Sequence, residues 1–413
     1  MAQIHAIRES DSTFESEDRD DQVAELVDDR AFGSQQQMPH PFRHPIRFVG
    51  WLIRSLFGIA SLILLLAVVA AIPIVNFLAL GYLLEVEGRV ARTGKLRNAF
   101  PLLPFAPRIG SIVLGVGGWL LAVRLVADRA AVATQIDPGG RGQQGFKVVF
   151  AFLVACHLCL ALARGGSFGC FLRPLKNLLW FLKRMRDGDY WETANQHIAT
   201  FVKGLRLKHH FWLGLRGFAG AFIWLVIPSA LLATASQPEG GQVLVTVFGG
   251  MCLILVFTWV PFLQARFAAE QRFSAMFELR AIRDLYGYSS LVWLLAVVLT
   301  YVLSLPLYLA KVQLPPADLI WLVTVIFVVS IYPTKVVTGW AYHRALKKRA
   351  DALLAKRRRP FVVPLMGRGA MLPLLGIYVF LVFFTQAISK HGKLALFEHH
   401  AFLMPAPFLL SGG

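Results

Sequence analysis

Residues 49–84 read VGWLIRSLFGIASLILLLAVVAAIPIVNFLALGYLL, an unusually long apolar run. Its first part, 51–72, would span about 33 Å at 1.5 Å per residue, which is enough for one membrane crossing. Pro73 then removes a helix hydrogen bond and clashes with the preceding turn. The remainder, 74–84, is too short to cross a bilayer at a right angle. The run therefore predicts either one kinked, overlong crossing or a helical hairpin broken at Pro73.

The composition of the whole chain also indicates a membrane protein. Its 413 residues are 56% hydrophobic and 16% charged, against roughly 25% charged in soluble domains. The other long apolar runs are 109–127, 147–163, 211–235, 243–263, 289–310, 318–338 and 371–388. We therefore expect an all-α, polytopic transmembrane helical bundle with seven to eight membrane segments and interfacial amphipathic helices.

The first 38 residues differ from the rest of the chain. Residues 1–37 hold ten Asp and Glu against three Lys and Arg, with few large apolar side chains. Such a segment cannot bury enough apolar surface to offset the entropy lost on ordering. We expect an acidic, disordered tail at 1–38 and a membrane domain at 39–413. The tail lacks a basic segment followed by an apolar one, so we do not expect a cleaved signal peptide.

Basic residues concentrate in alternate loops, which predicts the orientation in the membrane. The loops 85–108, 164–210, 264–287 and 339–370 hold 27 Lys and Arg, and the intervening loops with the C-terminal stretch hold six. The rich loops should be cytoplasmic in a bacterial cell membrane. A single crossing at 49–84 would then place the acidic tail outside. A hairpin broken at Pro73 keeps the tail cytoplasmic, and we favour it for that reason.

The net charge of +18 is explained by this loop pattern, so we expect no nucleic-acid partner. In the linker 171–186, apolar residues recur at helical spacing beside five basic residues. A helix of this kind lies in the membrane interface on anionic lipid headgroups. The basic run 356–359 is a second predicted lipid contact.

Five ionisable residues fall inside the apolar segments: Arg54, Arg124, His157, Arg216 and Lys335. An ionisable side chain in a bilayer is costly, so each is a candidate functional residue. Three of them lie near predicted segment ends, where a long stem reaches the headgroups, and we expect them only to set the helix register: Arg54, Arg216 and Lys335.

The remaining candidates are Arg124 with Asp128, His157 and Asn76. Asp128 follows Arg124 by one helical turn, which predicts a structural ion pair. His157 is the deepest of the ionisable residues and is flanked by Cys156 and Cys159. Adjacent helical positions point about 100° apart, so these side chains cannot readily face one metal ion. We expect a hydrogen-bonded histidine, no metal and no cofactor.

Enzyme signatures are absent from the sequence, which has no phosphate-binding loop, no His-Glu-x-x-His motif and no Gly-x-Ser-x-Gly motif. Glu85 and Glu87 are two residues apart, so they face different sides of a helix. Glu85 is spaced to pair with Arg89 one turn later. We therefore expect a protein that is not an enzyme.

The order Pro73, Asn76, Phe77, Gly81, Tyr82 resembles the opening marker of a family of prokaryotic multi-pass membrane proteins known as domain of unknown function 4013. A second and a third likeness to this family occur at 272–280 and 339–344. The resemblance implies a broken first helix followed by a cytoplasmic basic linker. The family has no established activity, so the resemblance implies no catalytic residues.

Two functions fit these patterns, and a third, an intramembrane enzyme, has no direct support in the sequence. The first is a scaffold or partner-binding role in the cell envelope, without catalysis. The alternative is a transporter or channel for a small solute, which the prolines inside apolar segments favour, since discontinuous helices build transport sites. A transporter should hold a polar cavity near the bilayer midplane lined by His157, Asn76 or Arg124, whereas a scaffold should be tightly packed there.

Overall fold

The computed structural model describes residues 43–136, 141–234, 240–309, 320–356, 362–388, 392–399 and 402–403. These ranges contain helices and no strand. The predicted acidic tail at 1–38, the basic residues 357–359, and positions 235, 310, 318 and 319 of the predicted segments lie outside them.

The α-helices of the described ranges follow one another along the chain. They are α1 (Pro45–Ala71), α2 (Asn76–Thr93), α3 (Ala106–Ile136), α4 (Arg141–Ala163), α5 (Phe168–Phe171), α6 (Pro174–Asp187), α7 (Tyr190–Gly204), α8 (Leu207–Leu232), α9 (Gly240–Glu270), α10 (Leu279–Tyr286), α11 (Ser290–Leu309), α12 (Ile320–Leu354) and α13 (Val362–Ile388). Short 3-10 helices occupy Leu96–Ala99, Phe273–Phe277 and Gly392–Phe397.

Eight helical stretches within the described ranges are long and apolar enough to cross a membrane. They are Pro45–Ala71, Ala106–Val132, Gly145–Ala163, Tyr190–Leu232, Gly241–Glu270, Ser290–Leu309, Leu322–Leu354 and Val363–Ile388. The predicted all-α polytopic bundle is therefore confirmed. Helix α2 is not among these stretches, because four charged residues interrupt its apolar sequence.

The chain divides into two compact units after Ile59. The described part of the first unit, 43–59, contains the start of α1. There the rings of Phe48 and Trp51 stack with their centroids 6.1 Å apart. The second unit begins at Ala60 and contains every other described element.

The predicted break at Pro73 is confirmed. Helix α1 ends at Ala71, and α2 begins at Asn76. Between them Ile74 adopts a positive φ of 69°, which is uncommon for a β-branched residue and marks a sharp turn. The amide of Asn76 donates to the Ile72 carbonyl at 2.9 Å, which starts the new helix. The side of the membrane on which each arm ends stays a prediction.

Helix α2 lies inside the second unit and is buried along most of its length. It packs against α8, α9 and α12. A Cβ atom on Gly81 would collide with the His210 carbonyl, and one on Gly214 would collide with the Phe77 carbonyl. Glycine at both positions thus lets the backbones of α2 and α8 touch, a packing mode typical of membrane helices.

The same close approach recurs on two other sides of α2. A Cβ atom on Gly88 would collide with the Ala268 carbonyl of α9. One on Gly339 of α12 would collide with the Glu87 carbonyl of α2. Three neighbouring helices therefore hold α2 at backbone distance, and its charged residues must find partners inside the protein.

Candidate functional site

An ion pair buried between α2 and α12 forms the centre of the bundle. The Lys335 ammonium donates to Glu87 Oε2 at 3.1 Å and to Gln264 Oε1 of α9 at 2.7 Å. The Thr338 hydroxyl, one turn beyond Lys335, donates to Glu87 Oε1. The residues Glu87, Gln264, Lys335 and Thr338 are at most 3% exposed. We call these four residues the central polar cluster.

The position of Lys335 corrects the expectation that its stem reaches the headgroups. The predicted segment ends at 338, but α12 continues to Leu354 and places Lys335 near the middle of a 35-residue helix. Its side chain is 3% exposed, and an unpaired charge buried in this way within the protein would be costly. The carboxylate of Glu87 compensates it, because α2 runs alongside α12.

Every oxygen of the Glu87 carboxylate has a hydrogen-bond donor. Burial raises the pKa of Glu87, while the charge of Lys335 and the hydrogen bond from Thr338 oppose this rise. Gln264 completes the cluster, since its Nε2 donates to the Phe402 carbonyl at 3.2 Å. The charges of Glu87 and Lys335 thus compensate each other. The hydrogen bonds of the cluster described above are all made to other protein atoms.

A second carboxylate of α2 faces a different side of the helix, as its spacing predicts. Glu85 accepts from Arg89 Nε at 2.7 Å, which confirms the predicted pair. Arg92 Nη2 at 3.5 Å, His209 Nε2 at 3.3 Å and Gln271 Nε2 at 3.3 Å also approach it. Burial favours a higher pKa for Glu85. The His209 hydrogen bond and the charges of Arg89 and Arg92 outweigh burial and hold that pKa well below its usual range.

Arg92 extends this second cluster to the end of α9. Its Nη1 donates to the carbonyl oxygens of Ala268 and Ala269 at 3.2 and 3.3 Å. These are the last carbonyls before α9 ends at Glu270, and a cation at a helix C-terminus is favourable. Arg92 therefore fixes the end of α2 against α9.

His157 on α4 is buried and hydrogen-bonded, as expected. Its Nε2 lies 3.0 Å from the Phe171 carbonyl, and its Nδ1 lies 3.4 Å from Asn177 Nδ2. The Trp119 ring packs against it at 5.0 Å between centroids. Because Asn177 Nδ2 is a donor and the carbonyl an acceptor, the neutral ring carries its proton on Nε2. This residue joins α3, α4, α5 and α6.

Asn177 completes these contacts as the buried residue of α6. Its Nδ2 also donates to the Cys170 carbonyl at 2.7 Å, and its Oδ1 accepts from Arg164 at 3.1 Å. The predicted interfacial helix is therefore anchored to α4 through one buried amide. Across the described residues, no group of three His, Cys, Asp or Glu side chains is arranged to hold a metal ion.

Arg124 and Asp128 are exposed on α3. No ion pair joins them in the described part of the chain, so the predicted one-turn pair is not formed. Exposed pairs of this type contribute little stability, and water or headgroups satisfy both charges equally well. Asn76 is buried at the first position of α2, and its Oδ1 has no hydrogen-bond donor within the described ranges.

Three residues of the family-like marker contribute to the packing of α2: Phe77, Gly81 and Tyr82. Phe77 makes an edge-to-face contact with Phe218 of α8 at 5.3 Å. The Tyr82 hydroxyl lies 3.2 Å from that of Tyr332 on α12, and Tyr332 donates to the Ala99 carbonyl at 2.6 Å. With the break after Pro73 and the glycine contact at Gly81, the marker specifies how α2 enters the bundle.

A cavity of about 570 Å3 lies between α8, α9, α10 and α13. Apolar and aromatic side chains form most of its wall, and none of His157, Asn76 and Arg124 lines it. A solute pathway would require these three residues to line one cavity, and they do not line this one.

No protein-family model, no curated protein and no solved structure matches the chain. The resemblance to domain of unknown function 4013 stays a prediction. Lys335 is the one member of the central polar cluster that the sequence predicts as a candidate functional residue; Glu87, Gln264 and Thr338 are not predicted. The sequence feature that could have revealed the cluster is the occurrence of a lysine and two glutamates in otherwise apolar surroundings.

Proposed function

We propose that this chain is a scaffold of the bacterial cell membrane, without catalytic activity, that binds anionic lipid and supports protein partners. The observation that carries this proposal is the exposed apolar face of α6. In the proposed topology the N-terminal tail and the four basic loops are cytoplasmic, so α6 lies at the cytoplasmic surface of the bilayer.

The apolar side chains of α6 have little cover within the protein. Leu175 is 75% exposed, Leu179 65% and Leu182 54%. Lys176 and Lys183 are exposed on the same helix. A helix with one leucine face and several cations is stabilised where leucines enter the acyl region and cations meet phosphate groups. The lipid surface thus supplies the cover that the protein does not.

The closed centre of the bundle also supports a scaffold. The central polar cluster satisfies its own charges, and glycine contacts hold α2 against three helices. Such an arrangement makes a rigid body that can hold α6 and the basic loops in fixed positions. Rigid elements position binding residues better than mobile ones.

The depth of α6 tests this proposal directly. A nitroxide is attached at position 179 or, as a matched comparison, at position 183 of the full-length protein. The native cysteines are first replaced by serine. In vesicles containing phosphatidylglycerol, position 179 should be more accessible to oxygen than to a water-soluble nickel chelate, and position 183 should show the reverse. Equal accessibility to the chelate at both positions would refute an interfacial α6.

A transporter is the second candidate, and the buried Glu87–Lys335 pair favours it, since such pairs occur on ion and proton pathways. The break at Pro73 adds a discontinuous helix. Pro261, Pro306 and Pro333, by contrast, lie inside continuous helices.

Water access to the centre distinguishes the two candidates. The Thr338→Cys variant in the cysteine-free protein should resist a charged methanethiosulfonate reagent if the centre stays closed. Asp351→Cys, on the exposed end of the same helix, is the control that must react. Rapid modification at position 338 would favour transport over the scaffold.

A further inference from the structure

A short segment follows α13 and lies inside the bundle. We call residues 392–399, 402 and 403 the post-α13 segment. It contains the 3-10 helix Gly392–Phe397, which packs against α8 and α13. Six of its ten described residues are at most 9% exposed: Ala395, Leu396, Glu398, His399, Phe402 and Leu403. These side chains therefore fill space that the long helices enclose.

Two polar contacts hold the segment at the end of the bundle where α8, α11 and α13 finish. The Tyr308 hydroxyl, one residue before the end of α11, donates to the Glu398 carbonyl at 3.0 Å. Ser229 Oγ, three residues before the end of α8, lies 2.6 Å from His399 Nε2. The segment thus enters the bundle from this end.

A third polar contact joins the segment to the central polar cluster. The Phe402 ring stacks on Phe257 of α9 with centroids 5.9 Å apart. About 10 Å further along α9, at 1.5 Å per residue, Gln264 Nε2 donates to the Phe402 carbonyl at 3.2 Å. The other end of that amide accepts from Lys335, near the middle of α12. Irregular backbone at such depth is tolerated only where protein surrounds it or where it borders a cavity.

The helices around the segment present hydroxyl groups to one another and to its backbone. Ser304 donates to the Tyr378 hydroxyl at 3.1 Å, and Tyr378 donates to the Tyr308 hydroxyl at 3.1 Å. Because Tyr308 donates in turn to Glu398, this chain of donors ends on the segment. If the segment leaves, Tyr308 and Gln264 lose those acceptors, and water is the replacement that such polar groups bind. The space that the segment fills would then become a polar vestibule.

We propose that the post-α13 segment is a removable plug, which closes a vestibule between α8, α9, α11 and α13 and keeps water from the central polar cluster. A 3-10 helix has poorer hydrogen-bond geometry than the α-helices around it, and such segments open locally at a lower free energy than packed helices do. The contacts with Tyr308, Ser229 and Gln264 thus decide how often the plug opens. The plug goes beyond the scaffold role, because it gives the closed centre a defined route for opening.

A matched pair of double variants of the full-length protein tests the plug. S229A/Y308F removes the two hydroxyl groups that contact the segment at the end of the bundle. T300V/Y301F also removes two buried hydroxyl groups, but these donate to backbone carbonyls of α11 and α9. Hydrogen exchange of residues 392–399 should be at least about tenfold faster in S229A/Y308F, since two hydrogen bonds are lost. It should be nearly unchanged in T300V/Y301F.

Water entry at the centre is measured at position 338. Thr338→Cys is combined with each double variant in the cysteine-free protein, and a charged methanethiosulfonate reagent is added. Position 338 should resist the reagent in the otherwise unmodified protein and in T300V/Y301F. In S229A/Y308F it should react at least about tenfold faster, together with the faster exchange of the segment. Asp351→Cys, on the exposed end of α12, must react equally in every background.

Four results would overturn the plug. Faster exchange at 392–399 with position 338 still resistant would show that the segment does not guard the centre. Equal effects of the two double variants, or unchanged exchange in S229A/Y308F, would show that the contacts with the segment do not hold it closed. Rapid reaction of position 338 in the otherwise unmodified protein would show that the centre is already open. If S229A/Y308F does not elute as one species on size exclusion, Y308F and Y301F make the same comparison with one hydroxyl group each.

Discussion

Lys335 of α12 and Glu87 of α2 form a 3.1 Å ion pair in which both side chains are at least 96% buried. The pair belongs to two helices that are distant in sequence, and its second neighbours, Gln264 and Thr338, come from α9 and α12. It therefore couples three helices, and its energetics differ from those of a surface ion pair.

Removing one member of this pair should destabilise the protein strongly. Glu87→Gln or Lys335→Met leaves an uncompensated buried charge, and we expect a loss of about 3–5 kcal/mol in the free energy of unfolding. The double variant E87Q/K335M should recover most of that loss, because neither charge remains. Unfolding in detergent, followed by tryptophan fluorescence, measures the difference.

The control for that comparison is the exposed pair between Arg349 and Asp284, at 3.0 Å with side chains 43% and 38% exposed. Asp284→Asn should cost at most about 1 kcal/mol. If E87Q/K335M is as unstable as either single variant, the loss of stability is not caused by an uncompensated buried charge.

Enlarging Gly81 should separate α2 from α8. Gly81→Ala places a methyl group against the His210 backbone, and backbone cannot move aside like a flexible side chain. We expect a loss of at least about 1–3 kcal/mol, as in overpacked cores. The melting temperature of the purified protein and its elution as one species on size exclusion report the effect.

Gly117→Ala on α3 is the matched control for this substitution, since a Cβ atom there meets nothing within 4 Å. It should leave the melting temperature unchanged or raise it slightly, because alanine favours the helix. An equal fall in the melting temperature of both variants would mean that the α2–α8 contact does not decide the outcome.

Glu85 should make stability depend on acid pH. The pKa of Glu85 is lowered in the folded protein, so the stabilisation that it provides is complete well above its unfolded pKa of about 4.3. It is lost progressively as pH falls below that value. The melting temperature of the unmodified protein should exceed that of Glu85→Gln near pH 7, and the gap should narrow below about pH 4.3. A gap that widens on acidification would contradict this assignment.

Asn177 should contribute more stability than His157. Asn177→Leu removes hydrogen bonds to Cys170, Arg164 and His157, whereas His157→Phe removes only those of the imidazole. Each unsatisfied buried polar group costs about 1–3 kcal/mol, so the asparagine variant should lower the melting temperature further. Hydrogen exchange of α6 should also rise more in that variant, because Asn177 is the buried residue of this helix.

Local features could be predicted from the sequence, and relations between distant helices could not. The break at Pro73 follows from the missing amide of proline, and the Glu85–Arg89 pair follows from one-turn spacing. The eight apolar helices follow from segment length. Each of these depends on residues that are close together in the chain.

The central polar cluster depends on information that the pattern does not carry. Residue spacing does not reveal that α2 is surrounded by α8, α9 and α12, or that α12 extends to Leu354. The sequence therefore predicts Lys335 at the end of a segment, where a lysine needs no partner. Arg124 and Asp128 are the opposite case, in which the spacing predicts an ion pair that is not formed. Suitable spacing on an exposed helix face does not compel two side chains to pair.

The pairing of Glu87 with Lys335 also sets an order of events during synthesis. The two residues are 248 positions apart, so at roughly 5–20 residues per second the ribosome adds Lys335 about 12–50 s after Glu87. Throughout that interval α2 carries four charges and has no partner for its central carboxylate. Glu87 therefore gains its ion-pair partner only after about four-fifths of the chain has been made, later than the helices α8 and α9 that also pack against α2.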